Sequence, residues 1–372
     1  MDLYTLDRNF NRIDTIDGFG SAIWTERYYG DSDIELVVPA TTEMIQKLPE
    51  GIFVGLDGSD EIMIIETLTI KEGNLKAVGN SVLVWMNNRF VRNSPNQDAK
   101  TWVYPVGKAG WAMWAILWNA VHKDSPWLTN PGSYPMGIAN PEQFIIPELG
   151  VLDYDTSGDD VSLTVDFGPV YDAMRVVATT YEIGMQIILG TNPVLGFRSY
   201  KGVRRTSDQT IYPPVRFSPQ MDSLTKIEEV RSIAALKTKV YAFTGNPMGT
   251  LNTKPPGEAH LADMQYVGFD LRALMGTAPE IDTALVGTDA TKLANALNDK
   301  AKKALEANTR IRAVDGEIVP TAQFQYGRDY NLGDIIEVQG KSEIVQTSRV
   351  IEYIRTQDST GEKAYPTVAM LD

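Results

Sequence analysis

Apolar and polar residues alternate with a period of two through much of the first ninety positions, the signature of antiparallel strands with one covered face. Residues 19–28 and 34–38 are expected to pair around the turn Tyr29-Gly-Asp-Ser-Asp33, and residues 42–48 to form one short helix capped by a threonine. Residues 52–56 and 61–69 flank Asp57-Gly-Ser-Asp60, a hairpin signal, and Lys71-Glu-Gly-Asn74 is a second turn before a strand over 75–84. Short strands at this regular spacing predict a small barrel or sandwich.

The period changes after a polar, proline-containing stretch at 94–100. Trp111, Trp114, Trp118 and Val121 recur at helical spacing and predict an amphipathic helix over 108–122, with the three tryptophans pointing inward together. A Pro/Gly/Asn-rich loop region follows at 125–147. Pro169 suits the first turn of a second helix, where its missing N–H costs little, and Val170, Met174, Val177 and Tyr181 share one face of it.

Alternation then returns. A strand over 194–200 ends in the basic turn Lys201-Gly-Val-Arg-Arg205-Thr, and Pro213-Pro214 leads into Val215-Arg-Phe-Ser218. Further strands are expected at 225–230, 237–244 and 263–274, the last broken by Met275-Gly-Thr-Ala-Pro279. Thr288 or Asp289 caps an alanine-rich helix at about 289–308, with Leu293, Leu297, Ala301 and Leu305 on its inner face. Strands are expected again at 317–324, 334–338, 343–353 and 365–371, with a terminal hairpin around Asp358-Ser-Thr-Gly361. The pattern as a whole is α+β, mainly β, in three parts: a β-rich part at 1–92, a helical or α+β insertion at 93–190, and a second β-rich part at 191–372.

Composition narrows the partners. The 372 residues carry a net charge of −14, which opposes sequence-specific nucleic-acid binding, because phosphates need a field of the opposite sign. The basic clusters Lys201/Arg204/Arg205 and Lys300/Lys302/Lys303 read as a turn and a solvated helix face. With no cysteine there are no disulfides, thiolate metal sites or cysteine nucleophiles. No apolar run is long enough to span a bilayer as a helix, and the opening Met1-Asp-Leu-Tyr-Thr lacks the basic-then-apolar order of a signal peptide, so synthesis in a cytoplasm is expected.

Candidate chemistry is sparse. Asp153, Asp155, Ser157 and Asp159 place oxygens at alternate positions with Gly158 sixth, as a calcium loop does, but the twelfth residue is Thr164 where a bidentate Glu belongs. An acidic hairpin turn between Val151 and Val161 is the favoured reading. His122 and His260 are too far apart in sequence to promise zinc; His122 suits a helix C-terminus, where a positive charge meets the dipole. No Gly-x-Ser-x-Gly elbow is present, and Gly18-Phe-Gly20 lacks the third glycine of a nucleotide loop. No cofactor is expected. Trp102, Trp111, Trp114, Trp118 and Trp127 read as the core or interface of a small helical part rather than a sugar platform. Forty-eight carboxylates make pairs inevitable, so no glycosidase dyad can be picked out.

The string Phe197-x-x-Tyr200-x-Gly202-x-x-Arg205-Thr206, followed by Phe217-Ser218, resembles the baseplate or tail-tip hub proteins of siphophages, the hub part of tail-associated lysin-like proteins. Asp31-Ser-Asp-Ile-Glu-Leu-Val-Val-Pro39 and Tyr330-Asn-Leu-Gly333-Asp334-Ile-Ile extend that resemblance. It implies two small hub-type β-barrels separated by the insertion, and a homotrimer whose six barrels adapt a sixfold tail tube to a threefold tip. It also implies a virion location, with a tail-tube or distal-tail ring as one partner and a central spike, fibre or tape-measure protein as another, and roles in host attachment and DNA ejection. No residue would be catalytic, and the hydrolase that follows the hub in a tail-associated lysin is not expected here. The rival expectations are a tail-associated cell-wall or polysaccharide hydrolase and a carbohydrate-binding module.

Overall fold

The structure is a computed structural model, and it describes residues 1–91, 101–125, 141–157, 160–166, 168–191, 194–243, 256–262, 264–277, 290–319, 323–342 and 344–371. The chain divides into two compact units: residues 1–226, 316–339 and 345–372 in one, and 227–315 with 340–344 in the other.

The first unit opens with β1 (Leu3–Leu6), β2 (Arg12–Ile16), β3 (Ser21–Arg27), β4 (Asp33–Pro39), helix α1 (Thr42–Lys47), β5 (Phe53–Leu56), β6 (Ile62–Lys71) and β7 (Asn74–Ser81). The alternation decides which face is covered. Ile34, Leu36 and Val38 of β4 are buried while their neighbours are not, and they meet Trp24 of β3, Leu75 and Ala77 of β7 and Leu48 beyond α1 in one core. Removing each such Ile or Leu side chain from water is worth about 1.5–3 kcal/mol. Thr41 caps α1, its hydroxyl accepting from the Met44 N–H at 3.2 Å.

A second core lies on the other face of the same strands. Ile62 and Ile64 belong to it while Met63 and Ile65 face the first core, so the run Ile62-Met-Ile-Ile65 does not alternate because this part of β6 is covered on both sides. Between β8 (Thr101–Gly107) and β12 (Leu195–Tyr200), this core is built with α2 (Ala109–Val121), β9 (Leu149–Asp153), β10 (Val161–Asp166), α3 (Val170–Thr180), β11 (Gly184–Leu189) and β12 itself. The last three sheet strands order as β11-β12-β9, and β10 pairs with β8. β9 and β10 therefore sit in different sheets, and the acidic stretch between them is a crossover rather than the expected hairpin turn.

Helix α2 buries a different face from the one expected. Ala109, Ala112, Met113, Ile116, Leu117 and Ala120 point into the core together with Val121, which was expected there; Trp111 is exposed, Trp118 is half-buried, and Trp114 is half-buried against the core. Small side chains on the inward face let the helix approach closely, and the bulky stripe is left on the opposite side.

The remaining elements are β13 (Arg216–Phe217), β14 (Leu224–Ser232), β15 (Lys239–Phe243), β16 (Gly257–His260), β17 (Ala273–Thr277), α4 (Ala290–Glu306), β18 (Ile311–Ile318), β19 (Ile335–Gln339), β20 (Val345–Asp358) and β21 (Gly361–Met370). β20 joins the two ends of the chain. Its first half pairs with β19 and its second half with β3, with a bulge between Val350 and Glu352 in its pairing to β21. The result is an eleven-stranded sheet of order β13-β19-β20-β3-β4-β7-β6-β5-β1-β2, with β21 on β20. The chain is thus mainly β with few helices; the strand order is an open path, and no closed barrel forms among the described residues.

In the second unit β16, β15 and β17 make one sheet against α4, whose Leu297, Ala301 and Leu305 pack on Val240 and Ala242. Leu293 is half-buried beside them, and the expected cap at Thr288 or Asp289 lies outside the described residues. Two expectations shift here. β17 runs through Met275-Gly-Thr277, where a break was expected, because its parallel pairing to β15 supplies the hydrogen bonds that a loop would lack. β18 occupies 311–318 and not 317–324, since Asn308 closes α4 by donating to the Ala304 carbonyl at 2.8 Å and the chain extends at once. β14 pairs with β18.

Candidate functional site

The turn after β12 and the loop before β19 lock together around one carboxylate. Asp334 is 3% exposed and accepts from the Val203 N–H at 2.8 Å, the Asn331 N–H at 3.0 Å and Arg205 Nε at 2.7 Å. The backbone reinforces the pairing: the Arg205 N–H donates to the Ile335 carbonyl at 2.7 Å and the Ile335 N–H to that of Val203 at 2.9 Å. So close an approach needs glycine on both sides. A Cβ on Gly202 would lie 1.9 Å from the Gly333 carbonyl carbon, and one on Gly333, at φ 86°, would lie 2.2 Å from the Tyr28 ring.

Two further networks flank this lock. Glu337, 5% exposed, accepts from the Ser207 hydroxyl at 2.6 Å and pairs with Arg216 at 2.7 Å. Burial works to raise its pKa, but the hydrogen bonds from Ser207 and the Arg216 charge hold it below the usual glutamate value. On the other side Arg349, 2% exposed, donates to the Glu182 carboxylate at 2.6 Å and to the Gly333 carbonyl at 3.2 Å. The Tyr28 hydroxyl donates to the carbonyls of Glu182 and Tyr200 at 3.0 and 3.2 Å, and burial pushes its pKa up to about 12.

The residues singled out in sequence fall into place around these networks. Phe197 is fully buried and stacks on Trp114, with ring centres 6.0 Å apart. Tyr200 meets Tyr28 edge-on at 5.4 Å. Thr206 is buried and bonded to Asp208. Phe217 packs edge-on against Phe324 and Tyr330, and the Ser218 N–H donates to the Ser223 hydroxyl at 2.9 Å. The strings 197–206, 217–218 and 333–334, distant in sequence, thus come together in one part of the fold, with the Asp334 carboxylate fully engaged and the buried Nε of Arg198 left without a partner.

In the calcium-like string Asp153 accepts from the Tyr154 N–H at 2.8 Å. Asp155 is bound up with Ser157 and, through its N–H, with Ser199; Asp160 pairs with Lys108 at 3.0 Å; Asp159 lies outside the described residues. Among the described residues no group of three or more His, Asp or Glu side chains is placed to hold a metal. His122 caps the C-terminus of α2 as expected, stacked on Trp118 at 5.7 Å, and burial lowers its pKa, which works against the positive charge expected there. His260 stands beside Tyr266 at 4.8 Å in the second unit. Trp127 and the side chain of Trp102 lie outside the described residues. Lys300, Lys302 and Lys303 form the solvated face of α4.

Beside the Asp334 lock opens a cleft of about 650 Å³, walled by Tyr200, Gly202, Arg205 and Asp334 on one side and by Glu26, Glu61, Arg198 and Arg355 on the other. The second group was not legible as a site. A carboxylate in or beside a strand looks solvent-facing in sequence until both faces of the sheet are known to be covered; the signal in sequence is that Glu61 abuts the apolar run Ile62-Met-Ile-Ile65.

The chain matches, over residues 2–368, the family described as Siphovirus ReqiPepy6 Gp37-like protein. No curated protein matches it. Among solved structures the fold is similar to the 43 kDa tail protein of prophage MuSo2 from Shewanella oneidensis, with a TM-score of 0.54 at 10% identity over 99% of this chain and 98% of that one. It is similar also to the tail protein from Neisseria meningitidis MC58, with a TM-score of 0.50 at 11% identity over 100% and 96% of the two chains. Prophage tail protein gp18 from Listeria monocytogenes EGD-e gives a TM-score of 0.50 at 11% identity over 99% and 94%.

Proposed function

This chain belongs to the Siphovirus ReqiPepy6 Gp37-like family, and from that premise we propose that it is a structural subunit of the phage tail tip, a baseplate hub without a catalytic role. The observation that carries the reading is the match of the family over nearly the whole chain, joined to a fold shared end to end with solved phage tail proteins. The Asp334–Arg205 pair supports it: both charges are engaged in holding the turn after β12 to the loop before β19.

In this reading the chain acts as a homotrimer in the virion. Two hub-type β modules per chain, in residues 1–92 and 191–372 with the insertion 93–190 between them, present six quasi-equivalent faces to a sixfold tube or distal-tail ring, while the threefold centre receives a spike, fibre or tape-measure protein. Such closure needs the same heterologous contact repeated around an axis. The tip closes the tube and opens on host attachment to release the genome.

Native mass by light scattering over a concentration series, with and without the neighbouring tail proteins, tests the assembly. A trimer that grows in with concentration or on addition of a ring protein is expected. A strict monomer under every condition would contradict it.

A further inference from the structure

Glu61 stands immediately before β6, is 3% exposed, and forms an isolated backbone bridge to Ile188 of β11. It therefore sits where the N-terminal sheet meets the β11-β12-β9 sheet, on the wall of the 650 Å³ cleft. Gln186 of β11 donates Nε2 to its Oε1 at 2.6 Å and accepts from Arg198 of β12 at 2.6 Å. Glu26 of β3 approaches from the sheet, itself taking Trp24 Nε1 at 3.3 Å and pairing with Arg355 of β20 at 3.4 Å. Ser32, Tyr200 and Tyr326 complete the surroundings. Among the described residues no cation lies within ion-pairing distance of Glu61: Arg355 is committed to Glu26 and Arg198 to Gln186.

We propose that Glu61 is a proton-operated latch on this cleft: as a neutral acid it lets β6 and β11 close over it, and loss of its proton to water through the cleft separates them and opens it. A buried carboxylate beside a second one, with no ion-pair partner of its own, carries a charge that burial penalises, whereas the neutral acid removes both that penalty and the repulsion from Glu26. Burial first, and the Glu26 charge second, push its pKa from the usual 4.5 up to about 8, against the opposing hydrogen bonds and Arg198. The folded chain thus keeps a proton that the unfolded chain releases. The stability tied to it is complete below about pH 4.5 and is lost as the pH rises toward 8, by up to about tenfold in the folding equilibrium per pH unit. The latch is a property of the single chain and does not rest on the tail-tip reading.

The test is the melting midpoint of the full chain between about pH 5 and pH 9 for the wild type, Glu61→Gln and Glu26→Gln, with hydrogen exchange of the β11 amides corrected for intrinsic rates. The wild type is expected to fall by several degrees across the window and to lose β11 protection at its upper end. Glu61→Gln stays flat and protected, and Glu26→Gln ends its fall at a lower pH. Infrared spectra of the wild type alone give a second reading, a carboxylic-acid band that disappears near pH 8. Parallel profiles for wild type and Glu61→Gln, pH-independent protection of β11, or no such band at pH 6 would overturn the proposal.

Discussion

Asp334 shows what a single side chain contributes. It is almost wholly enclosed and accepts from Arg205 and two backbone N–H groups, so truncating it leaves a guanidinium only 14% exposed, and two donors, without their acceptor. Removing one partner of a buried ion pair costs about 3–5 kcal/mol, and Asp334→Ala is expected to lose stability on that scale in chemical denaturation. Arg204→Ala, which breaks the solvent-facing pair with Asp208, should change little by the same measurement. Both halves of the Asp334 cluster were legible as strings, Gly202-x-x-Arg205 and Gly333-Asp334, but their meeting across 129 residues was not, because no periodicity reports on a contact so distant in sequence. Glu61 was less legible still, since its chemistry depends on what covers it.

At the scale of elements, spacing located α2 well and oriented it wrongly. Nearly every residue from Ala109 to Val121 is apolar, so several faces satisfy a helical period, and the three tryptophans were chosen for their size. Packing chose the small and flexible side chains instead. Met113→Ala should therefore cost about 2–5 kcal/mol in denaturant midpoints, as a buried methionine does, and Trp111→Ala distinctly less, because its ring stands outside the core. Equal costs, or the reverse order, would contradict this orientation. Strands told a similar story. β3, β4 and β7 alternate and are legible; β8 to β11 fall in the segment expected to be helical or α+β, where the alternation is too short to set strand bounds. The shift of β18 toward the end of α4 has the same cause, for Ile311-Arg-Ala-Val-Asp-Gly-Glu-Ile318 mixes charge and glycine too freely to read as a strand without its partner β14.

On the scale of the whole molecule, the first and last strands of the chain share one sheet through β20, a feature that local pattern cannot express. It makes the first unit depend on residues from both ends of the chain. Family membership over residues 2–368 and the fold of solved tail proteins then set the frame in which the chain works. The central claim is its place in the particle. A reconstruction of the intact virion's tail tip by electron cryomicroscopy is predicted to show three copies of this fold around the tail axis at the distal end of the tube. Finding the chain elsewhere along the tail, in another copy number, or missing from the virion would contradict the account.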